Sequence, residues 1–258
     1  MLEVLEALLL TSNPVIIVND ARKSYTYYIP NMAIRKIQFT PGEHYHLCAR
    51  GVGKQNIFLE EKDFIRFLFL ILHFQAPVKF FNIGRQVSHF VKSKAFNINE
   101  EDIKNITSVR EVLLEEFTIM NNHFHILLRE EVQRGTTNYM QRVLTSHAKY
   151  FNTKYKRSGH VFEGKFRAVH IESDEQLIYL SAYIHRNPRE IAGWKGKEHR
   201  YPWSSYQDHI QDNRWGKLLD PSIILDQFSG PSSYQKFVEK SGAKESIQTK
   251  IDKKFLLE

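Results

Sequence analysis

Alternating and short apolar stretches in the middle of the chain predict strands. Residues 43–50 form one such stretch, which ends before Gly51 and Gly53. Residues 110–120 and 123–129 predict an antiparallel pair of strands that turns near residues 121–122, and residues 161–171 predict a further strand.

Apolar residues at helical spacing predict the helices between these strands. They recur from Leu59 to Leu72, from Gly135 to Gly159 and from Glu175 to Arg186, where Pro188 ends the pattern. The order strand, helix, strand, strand, helix, strand, helix predicts an α+β fold: a ferredoxin-like antiparallel sheet with helices on one face, followed by a helical C-terminal extension.

Changes in pattern along the chain predict its division into segments. Residues 1–31 differ from the rest and are predicted to be an N-terminal extension, with Met32 as the natural start. Residues 32–206 form the main domain, with an insertion at about 76–109 that includes a predicted helix over residues 87–96. Residues 207–258 are the C-terminal extension, in which Asp-Pro and Gly-Pro pairs each begin a short helix.

Composition is that of a soluble globular protein, with 42% hydrophobic and 25% charged residues among 258. The single cysteine, Cys48, excludes an internal disulfide framework and a cysteine-rich zinc module, and it favours a reducing cytoplasm. The longest hydrophobic run, Phe67 to Leu72, is too short to cross a bilayer.

Positive charge is concentrated in one part of the chain. The net charge is +7, and residues 139–170 contain seven basic residues against one acidic residue, Glu163. A solvated helix face usually mixes the two signs, so this concentration predicts a surface that binds nucleic acid.

A His-x-His pair lies in the second strand of the predicted hairpin. His123 and His125 point to the same face of that strand, where two neutral imidazoles can hold a divalent cation. The same spacing also fits two polar residues on a solvated strand face, and a second pair, His44 and His46, competes for the role.

Tyr183 and Asn187 lie at i and i+4 of the helix that Pro188 ends, and therefore on one face. An asparagine oxygen is a suitable third ligand for Mg²⁺ or Mn²⁺, and a tyrosine one turn away could attack a phosphate held there. Spacing alone does not single out Tyr183, because Tyr179 lies one turn earlier and other tyrosines follow the basic helix.

Four blocks, in this order, resemble the single-tyrosine HUH transposases. Residues 119–128 resemble the His-hydrophobic-His core of that family, and residues 158–167 resemble its next block. Residues 183–188, Tyr-Ile-His-Arg-Asn-Pro, are similar to the tyrosine block of the branch associated with repetitive extragenic palindromes, and residues 203–206 follow as in that branch. The resemblance covers roughly residues 35–206.

The resemblance implies a reaction and a set of roles. His123 and His125 would bind Mg²⁺ or Mn²⁺, Asn187 would be the polar third ligand, and Tyr183 would be the nucleophile. The reaction implied is cleavage and rejoining of hairpin-bearing single-stranded DNA through a 5′-phosphotyrosine. Asn121 stands where the family often has proline, which affects the turn. His44 and His46 are expected to support the site or the fold without binding the metal.

Phosphate contacts are expected from basic residues near these blocks, and a homodimer is among the expectations. The predicted DNA-binding residues are Arg50, Arg142, Lys149, Lys154, Lys156, Arg157, Lys165 and Arg167. Two other functions remain open: a catalytically inactive single-stranded nucleic-acid-binding module, and a metal-dependent hydrolase in which water attacks the phosphate. Replacing Tyr183 by phenylalanine separates tyrosine attack from attack by water.

Overall fold

A computed structural model of the protein describes the backbone of residues 15–20 and 23–28 and, in full, residues 37–79, 81–96 and 98–241. The chain divides into two compact units, Met1–Gln38 and Phe39–Glu258. In the first unit, strands β1 (Val15–Asp20) and β2 (Lys23–Tyr28) pair antiparallel. The other residues of the predicted extension 1–31 lie outside the described residues. The predicted division of the chain into an extension, a main domain and a C-terminal extension stays a prediction.

The second unit contains a four-stranded antiparallel sheet. Its strands are β3 (His44–Arg50), β4 (Val112–Ile119), β5 (His123–Glu130) and β6 (Arg167–His170), in the order β4-β5-β3-β6. All three pairings are antiparallel, and helices connect β3 to β4 and β5 to β6. This is the ferredoxin-like arrangement, so the predicted α+β fold class is confirmed.

One face of the sheet packs on helices α1 (Glu61–His73) and α4 (Gly135–Lys154). Phe124 of β5 points to this face, and its ring lies 4.8 Å from that of Phe67 in α1. Phe67 in turn lies 5.2 Å from His147 of α4, measured between ring centroids. These contacts join the two connecting helices to the centre of the sheet.

The opposite face, which carries His123, His125 and Leu127, is covered by helix α5 (Asp174–Arg186) and helix α8 (Pro231–Lys240). Leu127 belongs to a buried cluster with residues of both helices. The prediction placed helices on one face, whereas the structure places them on both. The physical reason is that β4 and the centre of β5 are buried on both sides, which requires two covering layers.

The segment predicted as an insertion forms helices α2 (Ile83–Ser93) and α3 (Glu100–Ser108). Helix α2 starts and ends earlier than the predicted helix over residues 87–96, and it packs on α1. Helices α6 (Tyr206–Ile210) and α7 (Ser222–Leu225) precede α8 in the C-terminal region. Residues 242–258 of the predicted C-terminal extension lie outside the described residues.

The strand predicted over residues 161–171 is shorter in the structure. Only residues of β6 pair in the sheet, while Phe162 makes an isolated bridge with Gly51. Gly164 has a φ angle of +68°, in the left-handed region that breaks a strand, and it therefore separates the bridge from β6. Among the described residues, no helix has the length and apolar character needed to traverse a membrane.

Candidate metal centre and nucleophile

His123 is the first residue of β5 and has its two ring nitrogens in different surroundings. Nδ1 lies 2.6 Å from the side-chain oxygen of Asn122, and Nε2 lies 3.4 Å from the side-chain oxygen of Asn187. Both partners are amide oxygens, which only accept, and the single proton of the neutral ring lies on Nδ1, where the contact is shorter. His123 Nε2 and Asn187 Oδ1 are then two acceptors that face each other, an arrangement that a cation between them would satisfy.

His125 lies two residues further along the same face, with its ring centroid 5.1 Å from that of His123. Its Nδ1 lies 2.9 Å from Nε2 of His46 on the neighbouring strand β3. Its Nε2 is buried and has no hydrogen-bond partner within the described part of the chain. Buried polar atoms are nearly always paired, so this nitrogen is available to bind a ligand.

Burial keeps the imidazoles of this cluster neutral. It lowers the pKa of His123 to about 4 and that of His46 to about 3. The pKa of His125 lies well below its usual value, mainly because of burial and additionally because His123 and His46 lie close to it. Neutral imidazoles are the form that binds metal ions, so all three rings are in the binding form near pH 7.

Helix α5 brings Tyr183 and Asn187 to this cluster. Ser173 caps the N-terminal end of the helix, since its hydroxyl accepts a hydrogen bond from the backbone N–H of Gln176, and Pro188 follows the last turn. The ring of Tyr183 meets the ring of His125 edge-on, with 5.5 Å between centroids. Asn187 donates from Nδ2 to the Tyr183 carbonyl at 3.0 Å, which leaves its side-chain oxygen directed at His123.

The structure therefore brings together all four residues that sequence reasoning selected for the reaction: His123, His125, Tyr183 and Asn187. Sequence reasoning missed Asn122, which orients the His123 ring. The signal available in the sequence was its position directly before the histidine, at the turn between β4 and β5.

The competing pair takes other roles. His46 contacts His125, as described, and Nδ1 of His44 lies 2.9 Å from a carboxylate oxygen of Glu115. His46, Cys48 and His125 also offer three ligand atoms within 4.8 Å of one another. However, burial raises the pKa of the Cys48 thiol to about 12, so the thiolate form that binds metals is disfavoured.

Three of the predicted DNA-binding residues lie near the histidine cluster. Arg50 is paired in register with His123, and Arg167 with Cys48, which places both arginines on the histidine face of the sheet. Arg50 also approaches Glu163 at 3.4 Å. Lys165 lies two residues before Arg167 and is exposed.

Three more are exposed at or after the C-terminal part of α4, on the other side of the sheet. Lys149 and Lys156 are exposed, and the exposed Arg157 donates to Gln55 at 2.9 Å. Gln55 belongs to the loop that follows β3, so Arg157 lies at the end of the sheet where Arg50 and His123 are found.

Arg142 and Lys154 are instead engaged within the protein. Arg142 donates to Glu111 at 2.5 Å and to the Phe74 carbonyl at 2.8 Å, near the end of the sheet opposite His123. Lys154 pairs with Glu60 at 2.6 Å and with the fully buried Asp63. Glu111 precedes Arg142 by 31 residues, and Glu60 and Asp63 precede Lys154 by 94 and 91 residues. Counting charges within one short stretch of the sequence does not detect partners at such separations.

The fold and the site together define a class of protein: a ferredoxin-like domain with a histidine–histidine–asparagine cluster that faces a tyrosine on the neighbouring helix. The model of the family described as "Transposase IS200 like" matches residues 85–187, a segment that contains all four of these side chains. The resemblance to the single-tyrosine transposases is thereby confirmed.

A solved structure described as "Structure of the REP associates tyrosine transposase bound to a REP hairpin" is similar to this chain. The identity is 12%, the TM-score is 0.46, and the similarity covers 69% of this chain and 86% of that chain. No curated protein matches the sequence.

Proposed function

We propose that this protein cleaves and rejoins hairpin-bearing single-stranded DNA through a 5′-phosphotyrosine intermediate on Tyr183. The observation that carries the proposal is the unpartnered, buried Nε2 of His125, which lies beside His123 and Asn187 and against the ring of Tyr183. The family match supports a transposase activity in general terms. Tyrosine attack, the metal and the DNA are inferences from this geometry.

The chemical step needs one nucleophile and one phosphodiester. The hydroxyl oxygen of Tyr183 forms a bond to phosphorus while the bond from phosphorus to the 3′ oxygen of the preceding nucleotide breaks. The phenol proton is transferred, in net balance, to that 3′ oxygen. The products are a tyrosine-linked 5′ phosphate and a free 3′-OH, and attack by a 3′-OH reverses the step without an external energy source.

The residues present fit a divalent cation at this position. Three acceptor atoms converge there, namely Nε2 of His123, Nε2 of His125 and Oδ1 of Asn187, and these would hold Mg²⁺ or Mn²⁺. When bound, such an ion supplies Lewis-acid polarisation of the phosphate. Asn122 and His46 hold the two rings in place, because each contacts the Nδ1 that faces away from this point.

DNA would approach across the end of the sheet where β3 stops and β5 begins. Arg50, Arg167 and Lys165 are proposed to contact phosphates next to the reacting bond, and Lys149, Lys156 and Arg157 to contact the strand or hairpin further away. Arg142 and Lys154 are proposed to act mainly within the fold, because acidic partners already engage them. A homodimer stays a prediction.

The test uses purified protein, Mn²⁺ or Mg²⁺, and single-stranded hairpins taken from the DNA that flanks the gene, labelled at either the 5′ or the 3′ end. We expect a covalent protein–DNA band on a denaturing gel with the 3′ label alone. Tyr183→Phe and His123→Ala should each abolish the band. Tyr179→Phe is the matched control, because Tyr179 lies one turn earlier on α5 and packs on Phe237, away from the histidines.

Each other result would reject a specific part of the proposal. Cleavage that persists in Tyr183→Phe would mean that water attacks and that the protein is a hydrolase. Tight binding of these hairpins with no adduct for any metal would favour the inactive binding module. A band carrying the 5′ label would reverse the polarity of the proposed linkage.

A further inference from the structure

A second group of potential ligands is buried behind helix α5, separate from the site above. Glu116 of β4, His185 of α5 and His209 of α6 each offer one ligand atom, and the three atoms lie within 4.8 Å of one another. The accessibility of each residue is at most 1%. The proposed function uses none of the three.

Glu116 reaches this position through an irregularity in β4. Between Leu114 and Glu116 the register with β5 shifts, so that one extra residue, Glu115, is accommodated. Glu116 then pairs with Leu127, whose side chain lies on the α5 face of the sheet. Neither carboxylate oxygen has a hydrogen bond of normal geometry from the described residues, although one lies 2.9 Å from His185 Nε2.

The hydrogen bonds of His209 leave a lone pair on its Nε2. Its Nδ1 lies 2.9 Å from the Ser205 carbonyl, which only accepts, so Nδ1 carries the proton of the neutral ring. Its Nε2 therefore has a free lone pair, and this buried atom has no partner within the described part of the chain.

His185 is held in a similar way. Its Nδ1 lies 2.6 Å from the hydroxyl of Tyr234, which also contacts Ser181 at 2.5 Å. Its Nε2 lies 3.0 Å from Ser205 Oγ, and in the tautomer with the proton on Nδ1 this nitrogen offers a lone pair, since the single proton of Ser205 has the Phe117 carbonyl as an acceptor at 3.1 Å. Both histidines thus have a protein partner on Nδ1, which is the usual way that metal-binding histidines are oriented.

We infer that Glu116, His185 and His209 form a binding site for a divalent cation of the zinc type. Acceptor atoms from all three side chains converge in a volume without water access, and a cation satisfies them together. Two histidines and one carboxylate are a common ligand set for Zn²⁺, and the ligand atoms of a tetrahedral site lie about 3–4 Å apart.

The site would fasten the tyrosine helix to the rest of the domain. Its ligands come from β4, α5 and α6, so one ion would cross-link three elements that are distant in sequence. His185 lies between Tyr183 and Asn187 on α5, and its side chain points away from the reaction site into the buried layer. The ion would have a positioning role and no contact with the DNA.

One other arrangement would satisfy part of the cluster. Burial raises the pKa of Glu116 to about 8, and a protonated carboxyl could donate to a histidine in place of a metal. The two arrangements differ in a measurable way, because glutamine reproduces the donor of a protonated glutamate but binds metal poorly.

The experiment measures metal content in a protein from which the first site has been removed. In a His123→Ala, His125→Ala, Asn187→Ala background, the refolded or native protein is exposed to Zn²⁺ or Co²⁺ and dialysed. We expect about one equivalent of retained metal per chain, a visible absorption band of tetrahedral Co²⁺, and a melting temperature that falls when a chelator is added. Adding Glu116→Gln or His209→Gln should abolish all three signals.

Metal content of the folded background protein decides the question even if the added variants do not fold. A background protein that retains no stoichiometric metal and melts at the same temperature with and without chelator would overturn the inference. Glu116→Gln that is as stable as its parent would then identify a protonated carboxyl. Failure here would leave the proposed reaction untouched, because the adduct assay depends on different ligands.

Discussion

Lys154 tests whether the basic cluster of α4 serves the fold or the DNA. Its ammonium donates to Glu60 at 2.6 Å, to the Tyr150 hydroxyl at 2.9 Å and to the carboxylate of Asp63. Asp63 is fully buried and also accepts from the backbone N–H groups of Leu59 and Glu60, at 2.9 and 3.1 Å, where α1 begins. Replacing Lys154 by methionine should therefore destabilise the contact between α4 and the start of α1.

The size of the effect follows from what remains around Asp63. Removing one partner of a buried ion pair costs about 3–5 kcal/mol when the remaining charge is left unpaired. Asp63 keeps the two backbone donors and the hydroxyls of Tyr150 at 2.9 Å and Tyr155 at 2.6 Å, and the Lys154 side chain is 24% exposed. We therefore expect a smaller loss of about 2 kcal/mol, or a fall in melting temperature of about 4–8 °C.

The assay compares Lys154→Met with Lys149→Met, a change at an exposed lysine on the same helix. Thermal and urea unfolding should show the loss for Lys154→Met and a change within about 0.5 kcal/mol for Lys149→Met. Hairpin affinity measured at several salt concentrations should weaken more for Lys149→Met. An unchanged melting temperature for Lys154→Met, together with a shallower salt dependence of binding, would refute the structural role and restore Lys154 as a phosphate contact.

Three further predictions concern pH, metal affinity and DNA affinity. Burial raises the pKa of Asp63, but hydrogen bonds, led by the one from Lys154, outweigh burial and hold the pKa below 3.8. The ionised Asp63 therefore stabilises the fold above pH 3.8, and this stabilisation is lost as the pH falls further. Urea unfolding at a series of acidic pH values should show that loss, and Lys154→Met should show less of it. His46→Leu removes the partner of His125 Nδ1 and should weaken Mn²⁺ binding about 10–100-fold by calorimetry, whereas unchanged affinity would mean that the His125 ring is oriented by other contacts. Arg50→Ala should weaken hairpin binding and reduce the slope of log affinity against log salt by about 0.7, and an unchanged slope would remove Arg50 from the phosphate contacts.

The order of helices and strands was predictable because the spacing of hydrophobic residues within an element depends only on that stretch of sequence. The helical stripe of α1 and the hairpin of β4 and β5 both appear in the structure close to their predicted bounds. The extent of β6 was not predictable from apolar content alone, since one glycine conformation at Gly164 decides where the strand begins. The second helical layer was also missed, because burial of a strand on both faces depends on elements that follow much later in the chain.

In the candidate site, too, the sequence predicts which residues lie together within one element but not which elements pack against each other. Strand alternation places His123 and His125 together, and helical spacing places Tyr183 with Asn187, so each pair was predictable separately. Their meeting across 60 residues came from the family resemblance, because spacing does not determine which helix face packs on which strand. Ion pairs such as that of Lys154 with Asp63 depend on the tertiary fold, which explains why charge density overstated the basic surface.

The division of the site between a strand and a helix has a mechanical consequence. His123 and His125 belong to β5, which has paired strands on both sides, and their positions are fixed by the sheet. Tyr183 lies on α5 and Asn187 caps its C-terminal end, and Asn187 donates to the Tyr183 carbonyl, so any shift of α5 moves the nucleophile and the third ligand together. Attack geometry therefore depends on what holds the back of α5, where His185 contacts Tyr234 and approaches Glu116. A change in this buried layer should reduce adduct formation even though none of its residues reaches the DNA.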